Sequence, residues 1–229
     1  MHADTVRPPL RLAVLISGGG SNLQALIDGC ATGLIPGRIV LVVSNNPDAF
    51  GVERARRQQI PVHIIDHRLF ATRSVFDQVL ARTLDESGAE LICLAGFMRV
   101  LTADFVHYYA GRLINIHPAL LPAFPGIHVQ QQAIDAGVRF SGATVHFVVP
   151  EVDAGPIIAQ AVVPVLADDT HETLAARILR QEHRLYPLVV RWFAQDRVRL
   201  EGARVRILDG EEDDRQALLN PLESHLHTP

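Results

Sequence analysis

Leu12-Ala13-Val14-Leu15-Ile16-Ser17-Gly18-Gly19-Gly20-Ser21-Asn22-Leu23 is the stretch that decides the fold class. Five apolar residues run on without polar alternation, the pattern of a strand covered on both faces. Three glycines break it, and a helix start follows over Asn22–Cys30. Strand, glycine loop and helix together open a βα unit. The alternation continues downstream. Strands are expected at Ile39–Ser44, Val62–Ile65, Leu91–Ala95 and Leu113–Ile116, with helices at Ala49–Gln58 and Arg73–Ser87. The fold class is therefore α/β, a mostly parallel twisted sheet with helices on both faces. After Gly126 the pattern changes. Ala143–Val149 and Pro156–Val165 read as strands joined by a turn at Asp153-Ala154-Gly155, an antiparallel extension of the sheet. Thr170–Phe193 reads as a long helix, and Val198–Leu208 as a last hairpin around Glu201-Gly202.

The bulk numbers suit that reading. The chain has 229 residues, 48% of them hydrophobic, enough for one sizeable core and one domain over 1–229. Residues 1–10 are expected to form a disordered arm, and 209–229 a frayed acidic tail. A net charge of -4 argues against a polyanion binder, while a local phosphate pocket stays open. All 21 basic residues are arginine. Without lysine there is no Schiff-base chemistry and no G-x-x-x-x-G-K nucleotide loop. The two cysteines, Cys30 and Cys93, lack metal-ligand spacing and read as free thiols in a reducing, cytoplasmic setting. No stretch approaches the roughly 18 apolar residues that a membrane span needs. Eleven histidines are scattered without H-x-x-x-H or H-E-x-x-H spacing on a helix, so no metal is expected.

Four motifs carry chemistry. In the first loop, Gly20, Ser21 and Asn22 can crowd backbone and side-chain donors around an anion at a helix N-terminus. The sixth position of a dinucleotide fingerprint is Leu23, not glycine, which favours a phosphate monoester over a dinucleotide. A glycine turn with Ser21 as a simple helix cap is the plain alternative. The second motif, Asn115-Ile116-His117-Pro118-Ala119-Leu120-Leu121-Pro122, starts at the carboxyl end of a buried strand. Residues two apart share a face, so Asn115 and His117 can serve one space, the amide as an oxyanion donor and the imidazole as an acid or base. In the third, Glu151-Val152-Asp153-Ala154-Gly155-Pro156, Asp153 can orient a histidine or simply sit in an acidic turn. His146, on the same hairpin, either faces the site or packs in the sheet. The fourth, Leu94-Ala95-Gly96-Phe97-Met98-Arg99-Val100-Leu101, either lines a slot for a flat ring or is core.

In this order the pieces resemble the phosphoribosylglycinamide formyltransferases. The resemblance rests on Leu15-Ile16-Ser17-Gly18-x-Gly20-Ser21-Asn22-Leu23-Gln24, Ser44-Asn45, the Leu94–Arg99 segment, Asn115-Ile116-His117-Pro118, Leu120-Leu121-Pro122, Val145-His146-Phe147-Val148, Asp153-x-Gly155-Pro156 and Gln181-Glu182-His183-x-x-Tyr186-Pro187. It runs from about residue 12 to about residue 200. It implies the formyltransferase fold, with a folate cleft at the carboxyl edge of the sheet. It implies Asn115, His117 and Asp153 as the catalytic set and Gly20, Ser21 and Asn22 as the phosphate loop, with Glu182 on the substrate ribose. Folate contacts would come from Arg73, Met98, Arg99, Val100, Leu101 and Asn115, with backbone help from Val149–Asp153. Ala119 and Ala123 stand where the family often has polar or basic residues, and Gly19 where it often has asparagine.

The implied reaction moves the formyl group of 10-formyltetrahydrofolate to the amine of phosphoribosylglycinamide, in de novo purine biosynthesis, without metal or covalent enzyme intermediate. The partners expected are those two small molecules, with no nucleic acid and no membrane; a homodimer stays open. Related readings are a methionyl-tRNA formyltransferase, a formyltetrahydrofolate hydrolase and a sugar-nucleotide formyltransferase. The first two are disfavoured because the chain is expected to lack their further domains, the third by the Ser21-Asn22 and Gln181-Glu182-His183 matches. A dinucleotide-dependent reductase and a non-catalytic nucleotide-binding module are the readings from other classes.

Overall fold

A computed structural model of the protein describes residues 8–209. The expected arm, up to residue 7, and the expected tail, from residue 210, lie outside them. Seven strands form one sheet: β1 Leu10–Ile16, β2 Gly37–Ser44, β3 Val62–Ile64, β4 Leu91–Leu94, β5 Leu113–His117, β6 Phe140–Phe147 and β7 Ile157–Pro164. Their order is β3-β2-β1-β4-β5-β6-β7. Pairing is parallel from β3 through β5 and antiparallel at β5–β6 and β6–β7. A separate two-stranded hairpin, β8 Val198–Glu201 with β9 Arg204–Ile207, follows the last helix.

Both faces of the sheet are covered, which is why the central strands are apolar throughout. Leu12, Val14 and Ile16 of β1 belong to one core cluster, Ala13 and Leu15 to the other. The first cluster receives α1 Ser21–Ala31, α2 Phe50–Arg57, α5 Val129–Asp135 and α6 His171–Ala194. In α6 the buried Leu174, Ile178, Leu185 and Val189 recur at helical spacing and form its inner stripe. The second cluster receives α3 Arg73–Ser87, through Phe76, Leu80 and Leu84, and α4 Ala103–Tyr108, through Phe105 and Val106.

Local chemistry fixes the ends. Thr72, Thr102 and Thr170 each cap a helix by accepting a backbone N–H three residues on. Tyr186 of α6 is fully buried, and its hydroxyl lies 3.0 Å from the Leu94 carbonyl and 3.3 Å from that of Ile114. It ties the long helix to the ends of β4 and the middle of β5, beside Asn115. Two helices were not expected from the sequence: α4, with six residues, and α5, with seven. β1 and β6 also begin earlier than expected, at Leu10 and Phe140.

Candidate active site

The site grows out of β5. Ile114 and Ile116 point into the first core cluster, so Asn115 and His117 share the opposite face. Antiparallel pairing then sets His146 of β6 across from Asn115. The Asn115 amide nitrogen lies 3.3 Å from His146 Nε2. The other nitrogen of His146, Nδ1, lies 2.9 Å from the Phe147 carbonyl, which can only accept. Nδ1 therefore carries the proton. Burial holds His146 below its ordinary value and keeps the ring neutral; Phe147 and Asp153 oppose the shift. The free lone pair on Nε2 fixes the Asn115 amide with its N–H toward His146. The second N–H of that amide remains for the cleft. His146 thus faces the site, a placement the sequence left undecided.

His117 is buried, with Nε2 2.9 Å from the Phe124 carbonyl and Nδ1 3.4 Å from an Asp153 carboxylate oxygen. Both ring nitrogens face groups that only accept hydrogen bonds. The loop supplying the Phe124 carbonyl is held to the sheet by Thr144. Its hydroxyl donates to the Ala119 carbonyl at 2.7 Å and accepts from the Leu121 N–H at 3.1 Å. Gln160 on β7 donates to the Leu121 carbonyl at 2.9 Å.

Asp153 sits in the β6–β7 connection at φ 53°, a left-handed conformation. Its carboxylate accepts the Gly126 N–H at 2.8 Å, and its other oxygen lies 3.7 Å from His146 Nε2. The connection can fold back this closely because residue 155 is glycine: a Cβ there would collide with the Phe147 carbonyl. The three expected catalytic residues are therefore together.

Asn22, near the start of α1, donates to a buried Glu182 oxygen at 2.7 Å. Burial pushes the Glu182 carboxyl up, and the Asn22 bond only partly offsets it. The Asn22 side-chain oxygen has no hydrogen-bond partner within the described protein. Such a pair is left with acceptor capacity that a ligand's hydroxyls or amine can take up.

One cleft of about 750 Å³ is lined by both groups, Asn22 and Glu182 with Asn115, His117 and Asp153. Its walls include Met98, Arg99, Val100 and Leu101 on one side and Val148–Asp153 on another. That size and mixed lining suit a drug-sized ligand with a flat apolar part. Three expected contacts are not among the residues that line this cleft. Gly20 caps α1 in a left-handed conformation and packs on Gly51, where a Cβ would come within 2.6 Å of the Gly51 Cα. Ser21 lines a neighbouring hollow with Arg54 and His183. Arg73 opens α3 and is not among the residues lining the cleft. The segment Gly126–Gln130, which does line it, was not read as a site; its one local signal was the Pro125-Gly126 break. Leu23, in place of the dinucleotide glycine, is fully buried. Among the described residues no group of three or more His, Cys, Asp or Glu side chains could hold a metal ion.

Comparison with known proteins gives this geometry a family. The formyl transferase family model matches residues 10–190, a span that contains every site residue from Gly20 to Glu182. The chain belongs to the formyl transferase family. Among relatives of this family, the phosphoribosylglycinamide formyltransferase of Escherichia coli is 47% identical over 88% of this chain and 95% of its own length. The crystal structure of glycinamide ribonucleotide transformylase 1 from Symbiobacterium toebii superposes with a TM-score of 0.86 at 51% identity, covering 88% of this chain and 95% of that one. A formyltetrahydrofolate deformylase from Pseudomonas syringae shares the formyl transferase architecture at 27% identity and a TM-score of 0.81, covering 88% of this chain and 66% of that one.

Proposed function

We propose that this formyl transferase moves the formyl group of 10-formyltetrahydrofolate to the amine of 5'-phosphoribosylglycinamide, a step of de novo purine biosynthesis. The observation that carries the reading is a single cleft holding two sets of groups. Asn115, His117 and Asp153 suit acyl transfer, while Asn22 and the buried Glu182 offer polar capacity for a second substrate. A hydrolase, whose acceptor is water, has no need of the second set.

The 750 Å³ cleft and its Met98–Leu101 wall fit the flat ring system of the donor, and the buried Arg99 Nε, without a partner in the described protein, can serve its polar edge. Asn22 and Glu182 would hold the ribonucleotide. The substrate amine then attacks the formyl carbon. The new C–N bond forms as the carbonyl oxygen turns negative, and the bond to the folate nitrogen breaks in the second half of the reaction. Asn115 donates its free N–H to that oxygen. His117 exchanges the Phe124 carbonyl for the same oxygen, while Asp153 holds the Nδ1 side of the ring. A proton leaves the attacking nitrogen and reaches the departing one through His117 or a water. The proposed setting is the cytoplasm, without nucleic acid or membrane partners. The two free cysteines, Cys30 and Cys93, support a reducing compartment. A homodimer would be recognised by sedimentation velocity.

The test is deformylation of 10-formyl-5,8-dideazafolate followed spectrophotometrically with and without the ribonucleotide. Turnover that requires the ribonucleotide is expected. Equal turnover without it would mean a hydrolase, and none in either case would overturn the transfer reading.

A further inference from the structure

The Met98–Leu101 wall is pinned at both ends by side chains that do not line the cleft. At its start, the Met98 N–H donates to Ser17 Oγ at 2.7 Å, and that hydroxyl donates onward to the buried Asn45 side chain at 2.6 Å. At its far end, the Thr102 N–H donates to a carboxylate oxygen of Asp77 at 2.7 Å. Asp77 lies on α3, is 3% exposed, and its second oxygen has no partner in the described protein. Between the two pins, the Arg99 guanidinium stacks over Phe76, the neighbour of Asp77, at 4.4 Å from the ring centroid. A buried acidic residue with one backbone bond contributes little that an apolar residue could not, unless that bond fixes something. Here it fixes where the wall ends and α4 begins.

We propose that Ser17 and Asp77 are positioning residues that set the shape of the Met98–Leu101 wall, and through it the grip on the flat ring of the formyl donor. The assignment rests on the donor reading above. A pin lost at either end lets the wall relax away from the ring, while the catalytic groups on β5 and the ribonucleotide groups on α1 and α6 stay in place. Only an acceptor is required at position 77, so the amide oxygen of asparagine can replace the carboxylate.

The experiment is steady-state kinetics on both substrates, with calorimetric titration of 5,8-dideazafolate in parallel. For Asp77→Ala the donor KM and the analogue Kd are expected to rise about tenfold. The ribonucleotide KM should hold, and kcat should stay within about threefold. Asp77→Asn should restore donor binding, and Ser17→Ala should reproduce the donor-only defect from the other end. Should Asp77→Ala not fold, Ser17→Ala and Asp77→Asn carry the comparison. Equal rises in both KM values, no change in either, or an asparagine variant as weak as alanine would overturn the assignment. Wild-type protein that binds the analogue but shows no transfer would remove the function read above, with the titrations still reading the wall; wild-type protein that does neither would remove both.

Discussion

At the residue scale the site depends on a few side chains whose partners are already set. Asn115 has one N–H on His146 and one for the cleft, so truncation removes an oxyanion donor outright. Asn115→Ala and His117→Ala are each expected to lower kcat by about 10²–10³, with smaller changes in KM, in the dideazafolate assay. Near-normal turnover of the His117 variant would remove it from the mechanism. Glu182 gives a contrary pair of effects. Its carboxyl is pushed up by burial, so its charge is costly where it sits. Glu182→Gln is expected to raise Tm of the ligand-free protein by about 2–4 °C while raising the ribonucleotide KM about tenfold. His146 carries a pH effect. Its pKa lies below its ordinary 6.5 because burial outweighs the pull of Phe147 and Asp153, with His117 adding to the depression. The unfolded chain therefore takes up that proton first as pH falls, and native stability drops below about pH 6.5. Urea unfolding at about pH 7.5 and about pH 5.5 should show a smaller acid loss for His146→Gln than for wild type. Equal losses would place the pH sensitivity elsewhere, in the first instance at His183, whose pKa burial also lowers.

Among elements, the β6–β7 connection is the most exacting. Asp153 reaches both histidines only because Gly155 lets the chain pass against the Phe147 carbonyl. Gly155→Ala should therefore displace Asp153 and reduce kcat at least about tenfold, while far-ultraviolet dichroism stays native. Unaltered turnover would show that the connection has slack. The elements also show what the sequence could tell. Long apolar strands and the 24-residue α6 announce themselves by periodicity. α4 and α5 do not: six and seven residues give hardly two turns, and α5 is preceded by His128, a left-handed cap position that makes no side-chain cap bond. The Gly126–Gln130 wall was hidden for the same reason, since its place depends on the Asp153 carboxylate 27 positions away. Asn115 and His117 were legible because the period of a strand alone puts them on one face. Arg73 was given by resemblance only, Ser21 by loop chemistry as well, and neither is among the residues lining the cleft.

On the scale of the whole molecule, two clusters packed on either face of one sheet carry a cleft at its edge, so ligand and fold are linked. Saturating 5,8-dideazafolate at about 100 times its Kd should add roughly 2.7 kcal/mol, a rise in Tm of about 5–10 °C by scanning fluorimetry. No shift would mean that the folded protein has no site for it. The directions of the strands were legible because parallel strands buried on both faces lack polar alternation, and the change after Gly126 marked the antiparallel part; their order in the sheet was not. Less legible was what the change of direction achieves. At β5–β6, Asn115 stands opposite His146 and His117 opposite Thr144. A strand alternates faces with each residue, so this correspondence has only two settings, in or out. Substitutions along Phe140–Phe147 can be graded in their effect; an insertion or deletion turns His146 and Thr144 over into the core unless a bulge absorbs it, as one does in the β6–β7 ladder beside His146. In evolutionary terms β6 is a reading frame: it varies more freely in spelling than in length, and differences in length are expected in the loops on either side.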